Sequence, residues 1–351
     1  MAMSVKTKIK LGFEPLTLHS KHPFGISYGT SSETKNVLVK LELDGHTGYG
    51  EAAPASYHGE SRETVMAVLS RIEENAEEVF SGGPFAICDT SKKLDKLIAG
   101  HASAKAAIEC AMHDLCGKIA NLPTYKMLGL SPEGPMTTYT IGIAELDLIE
   151  KKTKEALSEG HKLLKIKLGT SYDRQIIEVV RNIAPDLPLR VDANGGWNPK
   201  QAIAMARFLE GHGVEFIEQP LPKFSHISDF KFVKDNSPLP IFADESAMNS
   251  FDVARLSQAV DGIVVKLAKC GGITEALRSI STARAHGLKI MFGMMLESSV
   301  GVNAALQLQS LCDYIDLDGA LLLRDDPFDG AHYENGYLKL KDRPGLGVVL
   351  K

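Results

Sequence analysis

Apolar and polar positions along the chain fall into two textures that change near residue 130. In the first, Lys8 to Leu18, Val37 to Leu43 and Thr47 to Glu51 read as strands, the last two joined by an Asp44-Gly45 turn, so a hairpin-containing sheet is predicted. Helical spacing follows in SRETVMAVLSRIEENAEEVF, opened by Ser61 and Glu63, and again in AKAAIECAMHDLCGKIANL. An α+β domain over residues 1–130 is therefore expected.

From about Thr137 short apolar strands alternate with amphipathic helices, in YTIGI, LLKIKLG, LRVDAN, EFIEQP, PIFADES, GIVVKLA, KIMFGMM and YIDLDG. Buried strands repeated in this way predict parallel βα units, and eight of them favour a closed (β/α) barrel, over residues 131–323, rather than an open sheet. Functional side chains belong at the C-terminal ends of such strands. Residues 324–351, with a Glu334-Asn335-Gly336 turn between strand-like pieces, read as a segment returning to the first domain.

Composition narrows the function. A chain of 351 residues suits one barrel with a smaller companion, and 44% hydrophobic with 24% charged residues fits a chain folded throughout. The net charge of -5 offers no field for a phosphate backbone, so no nucleic acid partner is expected. No apolar run is long enough to span a bilayer, and MAMSVKTKIKLGF alternates lysine with apolar residues instead of forming a signal-peptide core. No membrane partner and a cytoplasmic location are expected. Cys88, Cys110, Cys116, Cys270 and Cys312 are odd in number and irregular in spacing, which argues against a disulfide framework or zinc site.

Five strand ends carry chemistry. Lys165 and Lys167 lie two apart on the second barrel strand and share a face. A Lys-x-Lys pair can be a solvated edge, yet here it stands among apolar residues, where burial needs a reason. Asp192, Glu218 and Asp244 end the next three strands. Each alone has a bland reading as turn, strand exit or helix cap. Together they are spaced by one βα unit, and three converging carboxylates would repel without a cation; hard oxygen ligands suit Mg²⁺. Lys266, a surface or ion-pair lysine on the alternative reading, ends the sixth strand, across the barrel from Lys167. Two amines facing each other over a metal imply a planar intermediate, as when a proton leaves carbon next to a carboxylate and an enediolate forms.

With KIK, DAN, EQP, DES and KLAKCGG in place, the chain resembles the enolase superfamily, its muconate lactonising subgroup, over nearly its whole length. The resemblance implies a modified TIM barrel beneath an N-terminal α+β capping domain. It implies Lys167 and Lys266 as paired acid/base catalysts, one Mg²⁺ per subunit on Asp192, Glu218 and Asp244, and Lys165 contacting the substrate carboxylate and tuning Lys167. Asp316 and Asp318 look like the Asp-x-Asp pair with which dipeptide epimerases, such as those acting on L-Ala-D/L-Glu, hold the substrate's α-ammonium group; on spacing alone the pair could be a charged strand terminus. Thr140, Met294 and Leu296 sit where that family contacts substrate.

The loop HSKHPFGISYGTSSET is expected to fold over the mouth and, through Phe24, Ile26 and Tyr28, to favour a neutral or apolar second residue. Relatives acting on dipeptides that end in glutamate carry an arginine where this chain has Gly29; Lys21 or His22 could replace that charge. The implied activity is two-base 1,1-proton transfer at the α-carbon of the C-terminal residue of a dipeptide. A cycloisomerase, an o-succinylbenzoate synthase-like dehydratase or an N-acylamino acid racemase on the same scaffold is the alternative, and a non-catalytic metabolite binder is the alternative of another class. The expected partner is a small-molecule dipeptide; a homo-oligomer is left open.

Overall fold

The computed structural model describes residues 8–351; Met1 to Thr7, on which part of the N-terminal reading falls, lie outside the described residues. An antiparallel sheet of β1 (Lys10–Ile26), β2 (Gly29–Leu43) and β3 (His46–Ala52) opens the chain. Alternation along β2 sends Val37, Val39, Leu41 and Leu43 into one core with Val65, Leu69 and Ile72 of the helix Arg62–Glu74 and Ile108 and Met112 of the helix Ala102–Ala120. Leu38, on the opposite face, joins the barrel core instead. The sheet and long helix approach so closely that a Cβ on Gly50 would lie 1.9 Å from the Ala107 carbonyl oxygen.

The segment expected to be a loop over the mouth is a hairpin. β1 runs on to Ile26 and pairs with β2 as far as Ile26 opposite Gly29, with a register shift between His19 and Phe24. Pro23, which has no N–H to give, falls inside that irregular stretch, where no ladder bond is demanded of it.

Eight parallel strands follow: β4 (Tyr139–Ile141), β5 (Leu164–Lys167), β6 (Leu189–Asp192), β7 (Val214–Glu218), β8 (Ile241–Ala243), β9 (Gly262–Val265), β10 (Lys289–Phe292) and β11 (Tyr314–Ile315). They pair in sequence order, and a parallel bridge between Thr137 and Ile315 joins the two edges. Ile166, Val191, Ile217, Ile263 and Ile290 point outward into the core shared with the helices. The barrel interior holds Phe216, Phe242, Val264 and Met291, with Tyr314 against them and the Arg190 guanidinium 4.7 Å from the Tyr314 ring. Two residues further along these strands come Asp192, Glu218, Asp244, Lys266 and Asp316, so the period of two lifts each onto the layer above an apolar plug.

After Leu323, His332–Glu334 and Tyr337–Lys339 form a hairpin through Asn335 and Gly336, both at positive φ. This hairpin meets the barrel, where Thr137 N donates to Gly336 O; the first domain is contacted on either side of it, where Arg324 N donates to His19 O at 3.0 Å and Leu346 N donates to Asp114 Oδ1 at 2.7 Å. All five cysteines are free, Cys88 alone being exposed. Among the described residues, no helix is long and apolar enough to cross a membrane.

Candidate active site

Strand pairing sets Lys167 beside Asp192 and Asp192 beside Glu218, while Asp244 follows the end of β8. Ligand oxygens of Asp192, Glu218 and Asp244 all lie within 4.8 Å of one another, and all three residues are buried. Four lysines surround them. Lys167 Nζ donates to Asp192 Oδ2 at 2.6 Å, and Lys266 Nζ donates to Asp244 Oδ2 at 2.5 Å. Lys269 donates to Asp244 Oδ1 at 2.7 Å and to Val264 O at 2.8 Å. Because β5 and β9 are four strands apart in an eight-stranded barrel, Lys167 and Lys266 approach the triad from opposite sides.

The three carboxylates are not equivalent. Burial pushes the acidity of Asp192 down, but the ammonium groups of Lys167 and Lys165 outweigh it and hold its pKa at about 2. Burial likewise opposes ionisation of Asp244, and Lys266 with Lys269 overcomes it, leaving the carboxyl well below its usual range. For Glu218 burial wins, reinforced by the charge of Asp192, and its pKa is raised well above the usual value. Both Glu218 oxygens are buried without a hydrogen-bond partner among the described residues; Lys165 Nζ is 2.6 Å from Oε2, a contact lacking hydrogen-bond alignment. A buried carboxylate left without partners is costly. Three hard oxygen donors converging with one of them unsatisfied fit a divalent cation.

Lys165 is buried, its Nζ within 3.3 Å of carboxylate oxygens of Asp192, Glu218 and Asp316. Burial disfavours its charge, yet Asp316, Glu218 and Asp192 together raise its pKa well above the usual value, and its Nζ donates to Asp316 Oδ2 at 2.6 Å. Asp316 also accepts from Thr138 Oγ1. Asp318 accepts from Thr140 N at 2.6 Å; burial first, then the charge of Asp316, raises its pKa to about 7.

A cavity of about 440 Å³ opens above this layer, walled by Lys167, Lys266, Asp316, Asp318, Thr140, Met294, Leu296 and Phe24. Sequence reasoning had named all of these. Asp192, Glu218, Asp244 and Lys165 form the layer beneath its floor rather than its walls. Two suggestions fail. His22 Nε2 lies 2.6 Å from Glu155 and Lys21 Nζ 3.5 Å from Glu159, so neither carries a spare charge to the cavity, and neither lines it. Ile26 and Tyr28, named from the sequence, are joined here by Tyr57 and Ser27, which were not. Ile26 and Tyr57 line the wall, Tyr28 stacks on Tyr57 with ring centroids 4.7 Å apart, and Ser27 Oγ donates to Asn194 O, tying the hairpin tip to the barrel mouth. Only the aromatic content of the hairpin hinted at this; Tyr57 had no signal.

Residues 13–129 match the mandelate racemase / muconate lactonizing enzyme N-terminal domain, and residues 148–351 match the enolase C-terminal domain-like family. An L-Ala-D/L-Glu epimerase of Bacteroides thetaiotaomicron is 42% identical over 97% of this chain and 88% of its own length. A hydrophobic dipeptide epimerase of Roseobacter litoralis is 40% identical over 97% of this chain and 99% of its own. The crystal structure of a dipeptide epimerase from Cytophaga hutchinsonii, complexed with Mg and D-Ala-L-Val, superposes with a TM-score of 0.92 at 31% identity, covering 98% of this chain and 96% of that one. With both of its domains matched and its barrel strand ends bearing this set of amines and carboxylates, the chain belongs to the mandelate racemase / muconate lactonizing enzyme family of the enolase superfamily.

Proposed function

We propose that this protein is a Mg²⁺-dependent dipeptide epimerase that inverts the α-carbon of the C-terminal residue. The observation that carries the reading is the placement of Lys167 and Lys266 on opposite sides of a buried triad of carboxylates, at the floor of a cavity that ends in Asp318. Asp192, Glu218 and Asp244 would hold the cation, which supplies positive charge where a substrate carboxylate gains electron density as the α-proton leaves. One lysine amine takes the α-proton from one face, and the ammonium of the other delivers a proton to the opposite face of the planar enediolate. Asp318, with Asp316, receives the free α-ammonium group and thereby sets the α-carbon between the amines. Lys165 supports the site from beneath by neutralising Asp316.

The second residue is proposed to be neutral or apolar. The names of the two similar relatives divide on this point, and the cavity favours the hydrophobic one. Phe24, Ile26 and Leu296 line it. Of its two remaining cations, Arg62 donates to Leu16 O, Asn36 O and Thr17 Oγ1, and Lys35 stands exposed at the rim, 3.5 Å from Glu33. A buried substrate carboxylate without a counter-ion would be poorly tolerated. We further propose a cytoplasmic location and a division into a capping domain of residues 1–130, a barrel of 131–323 and a closing segment of 324–351.

The test is incubation with Mg²⁺ and a dipeptide library in D₂O, with deuterium incorporation read by mass spectrometry. Exchange at the C-terminal α-carbon of dipeptides with apolar second residues, exceeding that of Ala-Glu, is the expected result. Exchange confined to N-acylated amino acids would shift the assignment to a racemase, and none with any carboxylate substrate would leave a metabolite binder.

A further inference from the structure

Two residues beside the carboxylate triad hold a backbone conformation that L-amino acids with side chains rarely adopt. Asn194 has φ 42° and Gln219 has φ 37°, the second immediately following Glu218. Such strain persists only where surrounding bonds over-determine it. Gln219 is fully buried and uses its whole amide: Nε2 donates to Leu221 O at 2.7 Å and to Ser246 Oγ at 2.8 Å, while Oε1 accepts from Asp244 N at 2.8 Å and from Ser246 N at 3.3 Å. Its backbone N donates to Phe242 O, and its carbonyl accepts from Gly195 N, both at 2.8 Å. One residue thus ties together the ends of all three strands that carry Asp192, Glu218 and Asp244. Asn194 completes the arrangement, its N donating to Asp192 Oδ1 at 2.8 Å and its Nδ2 to Asp192 Oδ2 and Glu245 Oε1.

We infer that Gln219 and Asn194 are positioning residues that preassemble the cation site, holding three mutually repelling carboxylates at ligand spacing with neutral amides. The backbone twist at each is what aims the amide back at the ligand strands. This inference rests on the proposed Mg²⁺ site and deepens it.

Glycine separates the backbone from the side chain, since it adopts positive φ freely. Gln219→Gly and Asn194→Gly keep the turn and remove the amide. Mn²⁺ titrated into the cation-free protein and followed by electron paramagnetic resonance gives affinity without reference to turnover, and near-UV circular dichroism reports native packing. Each variant is expected to keep the native spectrum and to bind Mn²⁺ at least about tenfold more weakly, the usual scale for groups that orient metal ligands. Native spectra in both with wild-type Mn²⁺ affinity would overturn the inference alone. Wild-type protein without affinity for Mn²⁺ would overturn the proposed cation site and the inference with it. A variant that loses its native spectrum leaves the decision to the other.

Discussion

Lys165 Nζ donates to Asp316 Oδ2 at 2.6 Å below the cavity floor, so one of the two strand-end aspartates has its counter-ion within the protein. Among the described residues Asp318 has none so close: its Oδ2 accepts from the backbone of Thr140. The two carboxylates, alike in the sequence, therefore answer differently to neutralisation.

Asp318→Asn is expected to raise KM for dipeptides with a free amino terminus by roughly 10- to 150-fold, the equivalent of about 1.5–3 kcal/mol for a hydrogen bond between charged groups. Thermal stability should hardly change. Asp316→Asn instead removes a partner of a buried lysine and is expected to cost about 3 kcal/mol of folding stability. Steady-state kinetics and thermal unfolding on both variants separate the two; equal effects on KM and unfolding in both would remove the distinction.

The acidity of Asp318 sets a pH dependence. With its pKa raised to about 7, by burial first and by Asp316 second, the group is a carboxylate above that value and neutral below it. Affinity for an ammonium needs the carboxylate. KM for dipeptides should thus rise as pH falls through 7 and level off above it, and Asp318→Asn should flatten that limb. A wild-type KM constant from pH 6 to 8 would contradict the assignment.

Lys167→Ala and Lys266→Ala should each abolish net epimerisation. Each retains one amine, so each should still exchange the α-proton of one stereoisomer in D₂O, and the isomers should differ between the two variants. Proton NMR resolves this directly. Retention of net epimerisation by either variant would remove the two-base mechanism.

Gly50→Ala places a methyl group 1.9 Å from the Ala107 carbonyl oxygen, which backbone must move to relieve. A destabilisation of about 1–3 kcal/mol is expected, the usual range for overpacking. Denaturant titration measures it. Stability equal to that of the parent would show that sheet and helix have room to separate.

The barrel was legible because its strands obey a short rule: buried on both faces, one per βα unit, with the functional residue at the end. That rule alone sets Lys167, Asp192, Glu218, Asp244 and Lys266 at strand ends. The hairpin extension was not legible, since HSKHPFGI lacks alternation and contains Pro23 and Gly25; its pairing with β2 comes from tertiary geometry. Asn194 and Gln219 were hidden for another reason. Asn before Gly-Gly and Gln before Pro are ordinary turn chemistry, and only the left-handed backbone with the fate of each amide sets them apart. The burial of Lys269 against Asp244 could not be inferred from spacing.

The bond from Ser27 Oγ to Asn194 O has a wider consequence. Reactive groups reside on strand termini that the barrel holds rigid, whereas Phe24 and Ile26 ride on a ribbon from another domain, fastened to the rim at its tip by a hydroxyl. Under the proposed assignment, selectivity and reactivity occupy separate mechanical parts, and substitutions along the ribbon are expected to retune which peptides are accepted while the proton-transfer apparatus stays as it is.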